Sequence, residues 1–235
     1  MVANAKDISK ASAELQDYIS KLDVDAAGVA SLDDLKGTKL AESTLKLLPT
    51  GRSIVVLATE VYSEVINLAS PKRVTGTASL NDLIDRHMEF LGGRLTKAVY
   101  DIAVFSRRAG MKALPLPSAG CPVDGRFLDA VFSYKHAGQA AGLGYMGRSS
   151  LLIAPKFGPR VRLAVCLTEA ILKPTTGEHT DECQNCSICI QNCPSGALSE
   201  PQNDEPYVMN KFACQSFRSA AGGCAECMKV CPEGH

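Results

Sequence analysis

The chain of 235 residues carries 25 Lys and Arg against 25 Asp and Glu, and 46% of it is apolar. That balance suits a globular fold of one large domain, or one domain plus a small appendage, and gives no electrostatic reason to expect nucleic acid or an anionic membrane as a partner. No apolar run approaches the roughly 20 residues of a membrane span, and the stretch MVANAKDISKASAELQ has neither an apolar core nor a twin-arginine pair, so a cytoplasmic protein is expected.

In chain order, Ile8, Ala11, Leu15, Ile19 and Leu22 recur at helical spacing and predict an amphipathic helix over 6–22. VDAAGVAS, at 24–31, reads as a short strand. Pro49 and Gly51 make a turn, and the β-branched run over 53–59 reads as a buried strand. A long helix is predicted over 79–109. One apolar stripe runs from Leu80 through Leu83, Ile84, His87, Phe90 and Leu91 to Leu95, Val99, Ile102 and Phe105, which puts His87 in the core. Gly92 and Gly93 within it permit a kink or close packing, and Gly110 is placed to cap it.

MKALPLP, at 111–117, is a strand limited by two prolines. A helix is expected over 127–142. SLLIAP at 150–155 and VRLAVCLT at 161–168 read as two strands joined by a KFGPR turn. Strands and helices alternate without a βαβ rhythm, which predicts an α+β fold with a sheet covered by helices. KPTTGEHTD at 173–181 lacks periodicity and reads as a linker, dividing the chain into 1–173 and 174–235.

Of the ten cysteines, none falls in the first 120 residues, Cys121 and Cys166 stand alone, and eight lie between Cys183 and Cys231. In a reducing compartment such clustering points to metal or redox work. Cys183, Cys186, Cys189, Cys193 and Pro194 form the C-x2-C-x2-C-x3-C-P run of bacterial-type ferredoxins. Three thiolates two residues apart wrap one corner of an iron–sulfur cubane, while the fourth turns away towards a neighbouring cluster. Cys224, Cys227, Cys231 and Pro232 repeat the run with its first cysteine missing, and Cys214, ten residues upstream, supplies the missing ligand. Crossing the two sets assigns one [4Fe–4S] cluster to Cys183, Cys186, Cys189 and Cys231, and a second to Cys193, Cys214, Cys224 and Cys227. The alternative, structural zinc, usually shows two C-x2-C pairs without a C-P ending. Cys166 reads as a small buried hydrophobe and Cys121 as a structural loop residue.

Two parts of the chain carry a family resemblance: AAGLGYMGRSSLLIAPKFGPRVRLAVCLTE at 140–169, and the cysteine order with the lone Cys214 and the ending GCAECMKVCP at 223–232. Together they resemble epoxyqueuosine reductases and corrinoid reductive dehalogenases. The resemblance implies a nitroreductase-like mixed sheet covered by helices that binds cobalamin, followed by a bacterial-ferredoxin-like two-cluster module that delivers electrons to the cobalt. It implies the same cluster assignment. It also implies a proton donor near Asp129 or Tyr134, although Tyr134 and Lys135 stand where a Glu-Arg pair is usual. The sequence ends three residues after Pro232, where the reductases continue into domains that help hold tRNA, and it lacks the export signal and pocket insertions of the dehalogenases.

Gly142, Gly144 and Gly147 allow the backbone to approach a corrin edge, or else make a tight turn packed on the sheet. Arg148, Arg160 and Arg162 are a basic set that suits a phosphate or the cofactor nucleotide, with surface ion pairs as the alternative. His136 is a candidate cobalt ligand or proton donor, or a structural residue; His179 lies in the linker and His235 at the end. Two functions follow. In the first, electrons pass through two [4Fe–4S] clusters to cobalamin and drive a reductive reaction. In the second, an electron-transfer or corrinoid-activating protein serves a partner. Either one calls for an electron donor such as a ferredoxin or flavodoxin, the second for an acceptor corrinoid protein, and neither for a membrane or nucleic acid.

Overall fold

The computed structural model describes residues 5–68, 80–118, 121–177, 182–201 and 205–234. In chain order the elements are α1 (Ala5–Ser20), β1 (Ala26–Ser31), α2 (Lys39–Leu47), β2 (Ser53–Glu60), α3 (Ser63–Asn67), α4 (Asn81–Arg108), β3 (Ala113–Leu116), β4 (Val123–Asp124), β5 (Asp129–Ala130), α5 (Tyr134–Ala140), β6 (Tyr145–Met146), β7 (Leu152–Ile153), β8 (Val161–Thr168), α6 (Ile188–Gln191), β9 (Leu198–Ser199), β10 (Val208–Met209), α7 (Lys211–Ala221) and α8 (Glu226–Lys229). The fold is α+β, as expected. It divides into two compact units, each discontinuous in sequence: Met1–Thr59, Gly92–Leu143 and Arg162–Glu178 form the first, and Glu60–Leu91, Gly144–Val161 and His179–His235 the second.

The first unit is built on a four-stranded sheet in the order β1-β2-β8-β3, with β1 antiparallel to β2 and β3 antiparallel to β8. Ile54 through Leu57 on β2 are fully buried, so this strand is covered on both faces. That accounts for its unbroken apolar run where a half-exposed strand would alternate. On one face, Ala11, Leu15 and Ile19 of α1 and Leu95, Val99 and Ile102 of α4 pack against Val29, Val55, Leu57, Ala164 and Cys166. These helical residues repeat at the three- and four-residue spacing of a single stripe, and each fully buried aliphatic side chain contributes about 1.5–3 kcal/mol. On the other face, Gly28 of β1 lies under the carbonyl of Ala141 and the side chain of Leu143, where a Cβ would clash.

The long helix runs unbroken through Gly92 and Gly93. Its end is a Schellman turn: the N–H of Met111 donates to the carbonyl of Ser106, that of Gly110 to Arg107, and Gly110 takes φ +79°. Ser79, the first residue of the predicted helix, lies outside the described residues.

Three expectations are corrected. The helix predicted over 127–142 is only α5; residues before it form the hairpin β4–β5. The Asp124 carboxylate accepts the N–H of Arg126, and Leu128 takes φ +51°, a turn geometry that blocks helix. The strands over 150–155 and 161–168 do not pair with each other: β7 pairs with β6, while β8 enters the four-stranded sheet. The first half of the predicted linker is fastened to the first unit, because Thr175 donates its N–H to the Val29 carbonyl and accepts the Val29 N–H on its hydroxyl. Residues 178–181, including His179, lie outside the described residues, as does His235.

In the second unit, Val61, Ile66, Leu91, Ala225 and Met228 form a small core with Ile84, Met88 and Leu151 against it. His87 is only half-buried: its Nε2 accepts the N–H of Tyr62, and its ring lies against the Tyr62 ring. Burial holds its pKa below the ordinary histidine value. The stripe places it on the apolar face, but the Tyr62 backbone claims its nitrogen.

Candidate functional site

The eight clustered cysteines all lie in the second unit, on short elements and the loops between them. Cys183 is in a 3-10 turn at Glu182–Asn185, Cys189 in α6, Cys214 in α7 and Cys227 in α8. Helices of four residues cannot hold themselves together in water, so α6 and α8 depend on what surrounds them. Asn210 caps α7 by accepting the N–H of Ala213, and Gly222 ends it in the left-handed conformation.

Electrostatics show which thiols are neighbours. Burial pushes Cys189 up to about 11, and the thiols of Cys183, Cys231 and Cys186 push it further in that direction. Burial pushes Cys227 up to about 12, with Cys224, Cys214, Cys189 and Cys193 adding to it. Cys214 is raised by burial, against the nearby Arg218 guanidinium, and again feels Cys224 and Cys193. Burial also raises Cys193, but the Ser195 side chain and the backbone of Leu198, Ser195 and Ala197 hydrogen-bond its sulfur and leave it lowered. Such donors favour the thiolate.

All ten cysteines are free thiols. Among the described residues, no three Cys, His, Asp or Glu side chains converge on a point where a single metal ion could be held. A cubane makes no such demand, because each of its four thiolates binds a separate iron.

The turn between β6 and β7 supports the first cysteine loop. Gly147 is followed by Arg148, whose guanidinium donates to the Gln184 carbonyl at 2.6 Å and to the Glu200 carboxylate at 2.7 Å. A Cβ on Gly147 would meet the Ile153 side chain at 2.6 Å and the Cys183 sulfur at 3.4 Å. Arg160, 1% exposed, donates to the carbonyls of Glu233 and Gly234, just beyond Cys231. Two of the three arginines read from sequence as a phosphate-binding set therefore hold backbone on either side of this thiol group. Arg162 belongs to the first unit.

The other predicted residues fall elsewhere. A Cβ on Gly142 would meet the carbonyl of Thr175 at 2.9 Å and the N–H of Gly177 at 2.8 Å, and one on Gly144 would clash with the Ile153 carbonyl. Both glycines thus face the protein's own backbone, and both take positive φ. Asp129 is exposed on β5. Tyr134, at the start of α5, donates its hydroxyl proton to the Pro117 carbonyl at 2.7 Å, and burial together with the neighbouring Cys121 thiol pushes it well above the ordinary tyrosine value. Cys121 donates to the Phe132 carbonyl at 3.3 Å. Cys166 is fully buried in β8, pushed up to about 12 by burial alone.

The first unit also carries a cavity of about 620 Å³ between α2 and α5, within the usual range for small-molecule sites. Thr38, Lys39, Ser43, Ser133, His136 and Gln139 contribute to its wall. The Ser133 hydroxyl and His136 Nδ1 are 2.7 Å apart, and burial, then Lys135, lower the His136 pKa. Sequence reasoning singles out His136 but not this cavity, since α2 and α5 are far apart in the chain. It also misses Tyr145, whose hydroxyl is buried beside Cys183; no local pattern distinguishes such a tyrosine from a packing residue.

No protein-family profile matches the chain. In sequence the chain is similar to a tetrachloroethene reductive dehalogenase of Dehalobacter restrictus, 34% identical over 157 residues that cover 58% of this chain and 26% of the relative. It is similar also to an epoxyqueuosine reductase of Staphylococcus aureus, 27% identical over 199 residues, covering 79% of this chain and 49% of the relative. The chain thus spans about a quarter of the dehalogenase and about half of the reductase. In fold it is similar to a solved catabolic reductive dehalogenase, with TM-score 0.66 at 19% identity over 91% of this chain and 30% of that one. A solved epoxyqueuosine reductase matches with TM-score 0.59 at 21% identity over 97% of this chain and 66% of that one. Sequence relatives and structural neighbours come from the same two families, and the chain is a homologue of epoxyqueuosine reductases and reductive dehalogenases.

Proposed function

We propose that the chain is a redox protein of the epoxyqueuosine reductase and reductive dehalogenase type, carrying electrons through two [4Fe–4S] clusters to a cobalamin bound by its N-terminal part. Cys183, Cys186, Cys189 and Cys231 hold one cluster, and Cys193, Cys214, Cys224 and Cys227 the other, in a bacterial-ferredoxin-like module. The observation that carries this reading is the ferredoxin-type spacing of eight free thiols gathered in one compact unit, and their mutual influence agrees with it. Cys189 feels the other three of its set, and Cys227 feels the other three of its own. The influence of Cys189 on Cys227 further supports two neighbouring clusters. Bound there, the clusters take up and pass on single electrons.

The residues suit the clusters well: eight thiols, donors on Cys193, and arginine-held loops at Cys183 and beyond Cys231. For the cobalamin, Gly142 and Gly144 do not fit, since backbone fills the space they leave. The cavity walled by Thr38, Ser43, Ser133, His136 and Gln139 suits better, because its hydroxyls, imidazole and amide match the amide-fringed edge or nucleotide of a corrinoid. Its 620 Å³ suits part of such a molecule. The N-terminal part is nitroreductase-like in this reading, and a ferredoxin or flavodoxin supplies the electrons in the cytoplasm.

A second reading, an electron-transfer or corrinoid-activating protein that serves an acceptor corrinoid protein, is favoured by one observation. Tyr134, a candidate acid, has its proton committed to the Pro117 carbonyl. One preparation tests both readings. Anaerobically reconstituted protein is expected to contain about eight iron and eight sulfide per chain; zinc or disulfides in their place would refute the cluster assignment. Adding cobalamin is expected to give a base-off absorption spectrum and co-elution through gel filtration. Intact clusters without co-elution would leave only the second reading.

A further inference from the structure

We propose that the Tyr145 hydroxyl donates a hydrogen bond to the sulfur of Cys183 and thereby raises the reduction potential of the cluster that Cys183 holds; this rests on the reading of Cys183 as a cluster ligand. Tyr145 opens β6 and is paired with Ile153 of β7, so its backbone is fixed by the hairpin. Its hydroxyl oxygen is shielded from solvent and has no hydrogen-bond partner of good geometry among the described residues. Burial raises the hydroxyl above the ordinary tyrosine value, and the Cys183 thiol, then the Glu233 carboxylate, push it the same way, while the backbone of Glu182 opposes them. The Cys183 sulfur sits 3.4 Å from where a Cβ of Gly147 would be, two residues along the same turn. Two independent positions of the hairpin thus face one sulfur.

A buried hydroxyl without an acceptor is costly, and in native proteins such a group needs an explanation. A neutral thiol is a poor acceptor. A thiolate bound to iron carries negative charge and is a better one, so the hydroxyl is satisfied when Cys183 ligates the cluster. The donation disperses charge on the sulfur. The reduced cluster holds one more electron than the oxidised one and gains more from that dispersal, so the potential rises. The donors identified on Cys193 belong to the other set, so the tyrosine acts on one cluster and not on both. Tyr145 is a positioning and tuning residue in this account, acting through Cys183.

Tyr145→Phe removes the hydroxyl and keeps the ring. Wild type and variant are reconstituted anaerobically, iron and sulfide are counted, and each cluster's midpoint is read by a redox titration followed by electron paramagnetic resonance. The expected result is full iron in both, one midpoint shifted to lower potential in the variant, and the other unchanged. Equal midpoints with both clusters intact would overturn the role of Tyr145 and leave the ligand assignment standing. Wild type without clusters would overturn the ligand assignment, and the tuning role with it. If the phenylalanine variant loses iron, 3-fluorotyrosine at the same position decides. As a stronger donor of the same shape it is expected to shift that midpoint upward, and no shift would overturn the proposal.

Discussion

Cys166, fully buried, and Cys227, partly buried, are both thiols pushed up to about 12, yet they belong to opposite kinds of structure. Burial alone acts on Cys166, which sits in a sheet among Val29, Val55, Leu57 and Ala164. Cys227 sits on a four-residue helix and feels four other thiols. The first unit is held by apolar area distributed over long elements, so one thiol there is merely a small hydrophobe. The elements bearing the clustered cysteines are too short to hold themselves, and a small core of Val61, Ile66, Leu91, Ala225 and Met228 together with a few arginine hydrogen bonds supports them. The same residue type thus has a packing role in one region and a ligand role, as proposed, in the other.

The sharpest way to break this comparison is to exchange serine for each thiol. Cys227→Ser is expected to remove one cluster, leaving about four of the eight iron per chain, whereas Cys166→Ser should leave iron content unchanged; iron and sulfide assays of both variants check this. Leu95→Ala tests the apolar side. It opens a cavity in the core of the first unit, and a loss of about 2–5 kcal/mol is expected in denaturant unfolding, with iron content retained. Gly147→Ala probes the boundary between packing and ligation. The new methyl meets Ile153 and crowds Cys183, and overpacking of this kind costs about 1–3 kcal/mol. The spectrum of the Cys183 cluster should change, while the other cluster stays as it was.

A smaller effect is expected from Thr38→Ala. Its hydroxyl caps α2 by accepting the N–H of Ala41, so about 0.5–2 kcal/mol is lost, read as a lower unfolding midpoint. The smallest is a pH effect. Burial lowers His87 below its ordinary 6.5. As pH falls below that value, the unfolded chain takes up a proton before the folded one does. Stability is therefore full above about pH 6.5 and declines as pH drops towards the folded pKa. His87→Gln should flatten that slope in unfolding curves taken across the range.

Much of the first unit is legible in the amino-acid sequence. The stripe on α1, the β-branched run of β2 and the second half of the α4 stripe are periodic patterns whose faces the folded chain buries, whereas Leu80, Leu83 and Phe90, at the start of that long stripe, are exposed. Gly110 is at the helix end because a positive φ is needed there, which a sequence can signal. The hairpin β4–β5 is not legible. Val123, Phe127 and Val131 resemble a helical face by spacing, but all three are exposed, and the turn rests on the Asp124 carboxylate, which accepts from the backbone and guanidinium of Arg126, and on the left-handed Leu128. The pairing of β7 with β6 is hidden for the same reason: two-residue strands carry no period to read.

In the cysteine region the order differs. Cysteine spacing is local, and the two C-P runs are what propose two sets of four thiols. What spacing cannot determine is the surroundings of those thiols. Arg148 and Arg160 have the character of anion-binding residues and hold backbone carbonyls, Arg148 together with the Glu200 carboxylate. Gly142 and Gly144 suggest openings for a cofactor, but Thr175 and Gly177, distant in the chain, fill the first and the nearby Ile153 of β7 fills the second. Tyr145 carries no signal of its own. The sequence alone determined the periodic helices, the buried strand and the local spacing of the cysteines, since each depends on residues a few positions apart. Only the tertiary structure decided which carbonyl an arginine meets, what fills the space beside a glycine and what lies next to a buried hydroxyl. Most of those contacts join residues far apart in the chain, and no local pattern records them.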